Sequence, residues 1–530
     1  MKDLFNLSEK KTRDIVYSKN LNFSYILLSF LPAALVIGPL IAEIIINIIS
    51  LIFIYNLIKN KEFKILNNFF FKYFFAFYLF LIICFYSSPV LEKLNIGIIF
   101  YFRFFIFTIA ALCILKANKS DLKFLYQCLS ITMFVVVVDG YIQFFFEKNI
   151  LGFPKYRHDR ISGLFDSKLI LGSYIFRLLP LLIGLTFFIK NISKFFFNFN
   201  LILIIMSLNL VLFSGERASF VLMILTLLII LIQIDIQKKI KYFFTISALL
   251  FFIFSLFFNP ILLDRYFYQF KKHLLGDQIN KRDIINNHLP MFETAIKIFK
   301  ENKLIGTGPQ SYRYLCSDDK YVTYYKEPII INNQLIEIEI PWNKIGEIKI
   351  KELFVTKDQR IEVGQKLFSY IFTYDGKTYD YFSTKEGIIN EINPPNNKSS
   401  NSYTSGQIFA RITPLLSPNR VTIKKNACNT HPHNFYYQLL AETGIIGFSF
   451  IFILFFYLLY AIIKNIFKNY FYKKTFTNNL EICITSILFI TLWPLTTTGN
   501  FFNNWLNIIS FYLLAFYLFS ILKSKNVKKK

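Results

Sequence analysis

Apolar runs that approach the roughly 20 residues needed for a helix to cross a bilayer recur along most of this chain, separated by short loops rich in lysine. Inside hydrocarbon every backbone amide must find its partner within its own segment, so such runs are read as helices. About twelve spans are expected, near 22–38, 41–58, 68–87, 97–115, 124–146, 168–189, 199–213, 218–235, 242–259, 445–464, 481–497 and 504–523. With 54% hydrophobic and 19% aromatic residues, the composition is that of an integral membrane protein. Asp139 falls within the fifth span, and an acid at that depth should face protein or water rather than lipid. The first twenty residues are charged and lack a small-residue cleavage site, so no cleavable signal peptide is expected.

The formal charge of +26 would suit nucleic acid. Its distribution argues against that partner, because lysines cluster at both termini and in alternate short loops (Lys59, Lys61, Lys64; Lys116, Lys119, Lys123; Lys190, Lys194; Lys238, Lys239, Lys241; Lys464, Lys468, Lys473, Lys474), the positive-inside pattern of a membrane protein. An even number of spans puts both termini in the cytoplasm and the loop 260–443 outside, together with Arg160 and Arg217. The chain divides into an N-terminal bundle (1–259), an external helical segment (260–325), a β-rich insertion (326–422), a short external helix (423–443) and C-terminal spans with a basic tail (444–530).

The insertion changes period from helical to alternating, with turns at Asp375-Gly376 and Pro394-Pro395. It also repeats: Val363-Gly364-Gln365-Lys366-Leu367-Phe368 echoes Ser405-Gly406-Gln407-Ile408-Phe409-Ala410, and a glycine opens a strand upstream of each copy (Gly346, Gly387). This duplication resembles the lipoyl/biotinyl-like barrel-sandwich module of periplasmic adaptor proteins, which implies a small β domain able to dock a periplasmic protein. Carrier members of that family modify a lysine at a hairpin tip. Here the tip region reads Asp375-Gly376-Lys377, offset and with foreign neighbours, so no attached cofactor is expected. An unrelated small β domain is the other reading.

Residues 431–450 join the polar region to a fresh apolar span. Asn434 or His433 can cap a helix bearing Phe435, Tyr436, Leu439 and Leu440. Gly444 ends that helix, and Gly447 lies at the start of the next segment. The helix dipole disfavours imidazolium at this N-terminus, leaving a neutral ring able to accept a proton. His433-Asn434, nine residues, then Gly444-x-x-Gly447 resembles the motif of the O-antigen ligase and polymerase superfamily. Arg160-Ile161-Ser162-Gly163-Leu164-Phe165 and Ser214-Gly215-Glu216-Arg217-Ala218-Ser219 resemble its two arginine stretches, and Thr307-Gly308-Pro309 with Tyr312-Arg313 its Gly-x-Gly segment. The resemblance covers about 20–325 and 423–525 and excludes the β insertion.

The resemblance implies an all-α polytopic bundle of the GT-C type in the bacterial inner membrane. It implies transfer of a glycan from undecaprenyl pyrophosphate, with inversion, to an acceptor hydroxyl such as a lipid A core sugar. A positive clamp on the leaving pyrophosphate (Arg160, Arg217) and a neutral imidazole near the acceptor (His433) are what that reaction needs, with no metal ion required. Asn434, Arg313 and His431 are expected at the substrate, although Asn434 can equally cap the helix and His431, preceding Pro432, can be structural. Glu442 reads as a solvated helix end or as the balance of a nearby arginine. Polymerase and ligase share these motifs; the His-Asn-x9-Gly-x-x-Gly form leans towards ligase, and a non-enzymatic export component is the alternative from another class. Cys84, Cys113, Cys128 and Cys483 lie in apolar spans as small buried hydrophobes. Cys316 and Cys428, flanking the insertion, can pair as a disulfide in an oxidising periplasm or remain two thiols. No nucleotide loop or zinc spacing is present in the sequence.

Overall fold

The computed structural model describes residues 20–118, 122–155, 160–237, 239–242, 245–247, 250, 253, 266, 282–328, 336–340, 347–372, 377–395, 402–404, 407–413, 422–426, 428–472 and 477–527. Most of the expected span 242–259, Gly346, Ser405-Gly406 and the hairpin turn Asp375-Gly376 lie outside these residues. The chain forms two compact units: Met1–Tyr141, Ile170–Thr323 and Asn426–Lys530 in one, Ile142–Leu169 and Tyr324–Lys425 in the other.

The first unit is helical. Its helices are α1 (Asn20–Ile37), α2 (Pro39–Lys59), α3 (Phe69–Tyr86), α4 (Arg103–Ala117), α5 (Lys123–Phe146, whose last turn enters the second unit), α6 (Leu171–Phe188), α7 (Lys194–Phe213), α8 (Arg217–Gln233), α9 (Arg282–Glu301), α10 (Tyr312–Leu315), α11 (Phe435–Tyr472), α12 (Asn479–Thr491) and α13 (Asn504–Val527). Among the described residues eight helical segments are long and apolar enough to cross a membrane, and Asn22–Ile37, Arg217–Gln233 and Asn479–Thr491 are apolar but shorter. Large apolar side chains, including Phe30, Ile44, Leu51, Ile83, Phe134, Ile202 and Ile453, are exposed on these helices. A water-facing surface of that kind is costly, whereas lipid tolerates it.

Side-chain caps start several helices: Asn68 accepts from Phe71 N–H at 2.8 Å, Ser193 from Phe196 N–H at 3.2 Å and Asn478 from Glu481 N–H at 2.8 Å. Helix α12 stops at Thr491, short of the expected end at 497. Pro494 follows three residues later, has no N–H to continue the ladder and turns the chain into the loop 492–503. Asp139 is fully buried, so its carboxyl faces protein.

Contacts fix which helix ends lie together. At one end Asp235, just past α8, exchanges two 3.1 Å hydrogen bonds with Asn479 at the start of α12. Gly184, late in α6, packs against Leu480 of α12 at the same end. At the other end the loop after α12 meets the start of α11, and Glu216 before α8 accepts from Gly172 N–H at the start of α6. Arg103 of α4 pairs there with Glu43 of α2 at 2.5 Å and donates to Asn504 of α13 at 3.2 Å. Arg217 and the segment 429–434 therefore open on the same end of the bundle.

Among the described residues the second unit holds ten strands: β1 (Tyr324–Pro328), β2 (Ile336–Glu339), β3 (Glu347–Leu353), β4 (Arg360–Ile361), β5 (Lys366–Phe372), β6 (Thr378–Phe382), β7 (Gly387–Ile392), β8 (Ser402–Thr404), β9 (Ile408–Thr413) and β10 (Thr422–Asn426). They form the sheets β2-β9-β7-β4 and β6-β5-β3-β8 and the pair β1-β10. The repeat is visible in the pairing. Strand β3 pairs with β5 as β7 pairs with β9, and each half lends a short strand to the other's sheet, β4 to β7 and β8 to β3. The two sheets close over one core in which Phe368 and Phe409 meet at 4.5 Å.

Candidate functional site

The site rests on two backbone turns that interlock. Helix α11 is broken at Gly444 (φ 61°, ψ −167°), which separates a first arm, 435–443, from a second, 445–472. At that break the chain 303–308 runs against 441–446: Ile445 N–H donates to Lys303 C=O at 2.8 Å, Thr307 N–H to Ala441 C=O at 3.1 Å and Gly308 N–H to Glu442 C=O at 2.8 Å. Gly306 has φ 68° and lies so close that an added Cβ would fall 2.4 Å from the Glu442 carbonyl carbon; at Gly444 it would fall 2.3 Å from the Leu304 oxygen. Both positions need positive φ and the absence of a side chain.

Asn434 caps the first arm. Its Oδ1 accepts from Tyr436 N–H at 2.9 Å, and its Nδ2 donates to the carbonyls of Pro494 (2.8 Å) and Thr496 (3.2 Å). It is 5% exposed, and these bonds occupy both ends of its amide. Of the two readings of Asn434, the helix cap is the one these bonds display, and the same side chain ties α11 to the loop after α12. His433 precedes it in the left-handed region (φ 55°), sparsely populated by residues with a Cβ. The bond from Thr498 N–H to His433 C=O, 2.8 Å, helps hold that conformation.

Three of the five histidines converge here. The rings of His431 and His433 are 4.3 Å apart, and that of His288, on α9, is 5.1 Å from His433. Asn429 Nδ2 lies 3.0 Å from His433 Nε2, and Thr430 Oγ1 lies 3.0 Å from His431 Nδ1. The Nδ1 of His288 and the Nε2 of His431 are buried without a hydrogen-bond partner. Partial burial pulls the basicity of His433 below the usual histidine range, and the neighbouring His288 lowers it further. Burial, then the charge His433 would carry, takes His431 down to about 4. His288 is lowered by burial alone. The lowered basicity of all three rings favours their uncharged forms, and an uncharged imidazole can accept a proton.

Arg313 stands on α10, near enough for its charge to act on His431, and its Nε is buried without a partner. The turn before α10 is pinned by Glu442, whose carboxylate accepts from Gln310 N–H (2.8 Å), Tyr312 N–H (3.2 Å) and Gln438 Nε2 (3.0 Å). Glu442 is fully buried, so it is not a solvated helix end. Cys316, next after α10, forms a disulfide with Cys428, Cα–Cα 5.0 Å, and so joins α10 to the segment bearing Asn429 and His433.

Arg217 is the first residue of α8, half-buried. The adjacent Glu216 is buried and directed at the N-terminus of α6, accepting from Gly172 N–H (2.7 Å), Ser173 N–H (3.1 Å) and Ser219 Oγ (2.9 Å). Arg160 belongs to the second unit. Its loop hangs on Gln143, whose Oε1 accepts from Ser162 N–H (2.9 Å) and Gly163 N–H (2.7 Å), while Asn149 Nδ2 donates to Gly163 C=O at 3.1 Å.

Two residues escaped the sequence reading. His288 falls in a helix read only for its apolar stripe; its place one turn before Phe292, on the side facing the 431–443 helix, was the available signal. Arg177 is buried in α6, where it donates to the Ser173 carbonyl at 3.0 Å and to Ser173 Oγ, with Glu216 close enough to act on it. Its bonds to Ser173 and the nearby Glu216 charge account for an arginine at that depth, and an arginine within an apolar run was the signal that it is buried against protein. Among the described residues no group of three His, Cys, Asp or Glu is set to hold a metal ion. Compared with known proteins, the chain matches no protein-family model and no curated sequence.

Proposed function

We propose that the chain is a membrane glycosyltransferase, O-antigen ligase-like, that moves a glycan from undecaprenyl pyrophosphate to an acceptor hydroxyl at the outer face of a bacterial inner membrane. The observation that carries this reading is His433: a histidine held in the left-handed backbone region with its basicity lowered by burial, beside the rings of His431 and His288, at the end of the bundle where Arg217 also opens. Sidedness rests on charge. Lys59, Lys61, Lys190, Lys194, Lys239 and Lys241 lie at or near the helix ends away from His433, as the positive-inside bias requires of a cytoplasmic face. The β insertion would then be periplasmic and available to a protein partner.

In the reaction, the acceptor O–H gives its proton to His433 as its oxygen attacks the anomeric carbon. The bond from that carbon to the pyrophosphate oxygen breaks, and undecaprenyl pyrophosphate leaves with the electron pair. A single displacement inverts the anomeric configuration. Charge builds on the departing pyrophosphate, where Arg217 and Arg160 would stabilise it; guanidinium offers fixed charge and a bidentate fork. Arg160 has this role from its motif alone.

The test is transfer by purified full-length protein from a lipid-linked glycan to lipid A core, in detergent or nanodiscs. Loss of the general base should slow turnover ~10²–10⁴-fold in His433→Ala. Unchanged transfer by a folded His433→Ala protein would falsify the role given to that imidazole.

A further inference from the structure

We propose that Asn429 is a positioning residue that fixes the tautomer of His433, leaving the lone pair on Nε2 and the proton on Nδ1, and that the Cys316–Cys428 disulfide holds Asn429 where it can do so. The orientation of the amide decides the matter. Asn429 Oδ1 accepts from Thr430 N–H at 2.7 Å, so the NH₂ end is the one that lies 3.0 Å from His433 Nε2. An amide nitrogen only donates, so Nε2 is the acceptor and its lone pair is free of a proton. A neutral imidazole with that pattern carries its hydrogen on Nδ1. Protonation of Nε2 would set two donors against each other and break the contact, so the amide disfavours imidazolium.

The groups that bear on His433 come from four elements. His431, Thr430 and Asn429 lie on its own segment, and His288 faces it from α9. Arg313 on α10 acts on His431, and the loop after α12 supplies Thr498 N–H to the His433 carbonyl. Cys428 is the residue before Asn429. Its partner Cys316 is 1% exposed in a core with Tyr312, Leu315, Ala295 and Ala441, so the disulfide fastens an exposed amide to a buried frame.

If the transferase reading holds, on which the catalytic consequence alone rests, the acceptor hydroxyl must displace the Asn429 amide from Nε2. The O–H proton then passes to the nitrogen that the amide has kept unprotonated.

The test measures the pH dependence of diethyl pyrocarbonate modification of His433 in the purified full-length protein, located by fragment mass spectrometry, since only the uncharged ring reacts. In Asn429→Asp a carboxylate faces Nε2 and favours imidazolium, and the midpoint should rise by about one unit or more. Asn429→Ala, which only removes the donor, should raise it less. Cys316→Ser with Cys428→Ser should follow Asn429→Ala. Thermal melting establishes that each variant is folded. Equal midpoints in wild type and a folded Asn429→Asp protein overturn the proposal, as does an equal rise in the Asp and Ala variants, the mark of a merely structural role. A midpoint that moves as stated while wild-type protein transfers no glycan supports the tautomer assignment and sinks the transferase reading instead.

Discussion

The rings of Phe292 and Tyr437 lie 4.4 Å apart and 4° from parallel, and this stack holds α9 against the first arm of α11. His288 stands one turn before Phe292, its ring 6.4 Å away and 20° from parallel, and so comes to face His433. Removing the stack should therefore disturb chemistry at a distance. Phe292→Ala is expected to cost about 2–3 kcal/mol, from lost apolar burial and the ~0.5–1.5 kcal/mol of the ring pair, read as a lower Tm. Phe292→Tyr keeps the stack and should melt near wild type. In Phe292→Ala, diethyl pyrocarbonate should react faster with His288, because its ring loses one wall.

The interlocked turns make a sharper prediction. Gly444→Ala places a methyl group 2.3 Å from the Leu304 oxygen while demanding φ 61° of a residue with a Cβ. Overlap and strained backbone together should destabilise by ~3 kcal/mol or more, or prevent folding altogether. Gly364→Ala is the control. It too has positive φ (86°), but nothing lies within 4 Å of its added Cβ. Its cost should stay near ~1 kcal/mol. Comparable melting of the two variants would show that the close approach at Leu304 does not exist in solution.

Much of this was legible in the sequence, for identifiable reasons. Long apolar runs in a membrane favour helices, which satisfy their own amides, so α1–α3, α5, α6, α8 and α13 could be found within about four residues of their ends, while α4 begins six residues later and α7 five residues earlier than expected. The duplicated Gly-Gln motif foretold paired halves in the β unit, though not the exchange of β4 and β8, which depends on closing two sheets over a common core. At the site, residues with strong local signatures (His433, Gly444) could be named. His288 could not, because its relevance comes from packing between α9 and α11, which are separated by more than a hundred residues. Glu442 misled for a related reason. An acid near the end of a short helix reads as solvated, and only the backbone amides of Gln310 and Tyr312, brought by another segment, justify its burial.

Those two amides set up the next test. Glu442→Ala leaves Gln310 N–H, Tyr312 N–H and the Gln438 amide without their acceptor in a fully buried site. Each unsatisfied group costs about 1–3 kcal/mol, so the summed loss should be severe and visible as a large drop in Tm or in folded yield. Glu442→Gln preserves shape but sets an NH₂ against at least one donor, and should cost roughly one such group. If Glu442→Ala melts like wild type, water has taken the carboxylate's place, and the turn that presents Arg313 does not depend on it.

Stability should also track the histidine cluster. His431 is held at about 4 in the folded state, below its ordinary 6.5. An unfolded chain therefore binds more protons than the native one between those values, and stability falls as pH falls. The window is set by the shift itself: the effect is absent above about 6.5 and is complete below about 4. Tm should decline through that interval, and His431→Phe, which cannot protonate, should flatten the decline. A Tm profile identical in wild type and variant would mean that His431 is not buried as its neutral form.

Arg217 separates clamp from scaffold. If its guanidinium meets the developing charge on a leaving pyrophosphate, the loss should fall on turnover more than on substrate affinity, because that charge is fullest in the transition state. Arg217→Lys keeps a positive charge but loses the planar fork and its fixed direction, so it should recover only part of the rate lost in Arg217→Ala. A structural arginine behaves otherwise: Arg217→Lys would restore both Tm and rate, and Arg217→Ala would lower them together. Arg177 is the comparison within the same unit, since it is buried in α6 and bonded to Ser173. Arg177→Ala should melt early through an opened helix contact. Melting curves and the kcat–KM split on both pairs decide between charge stabilisation and packing. Equal kcat losses in Arg217→Ala and Arg177→Ala, each scaled to its Tm, would remove Arg217 from the chemistry.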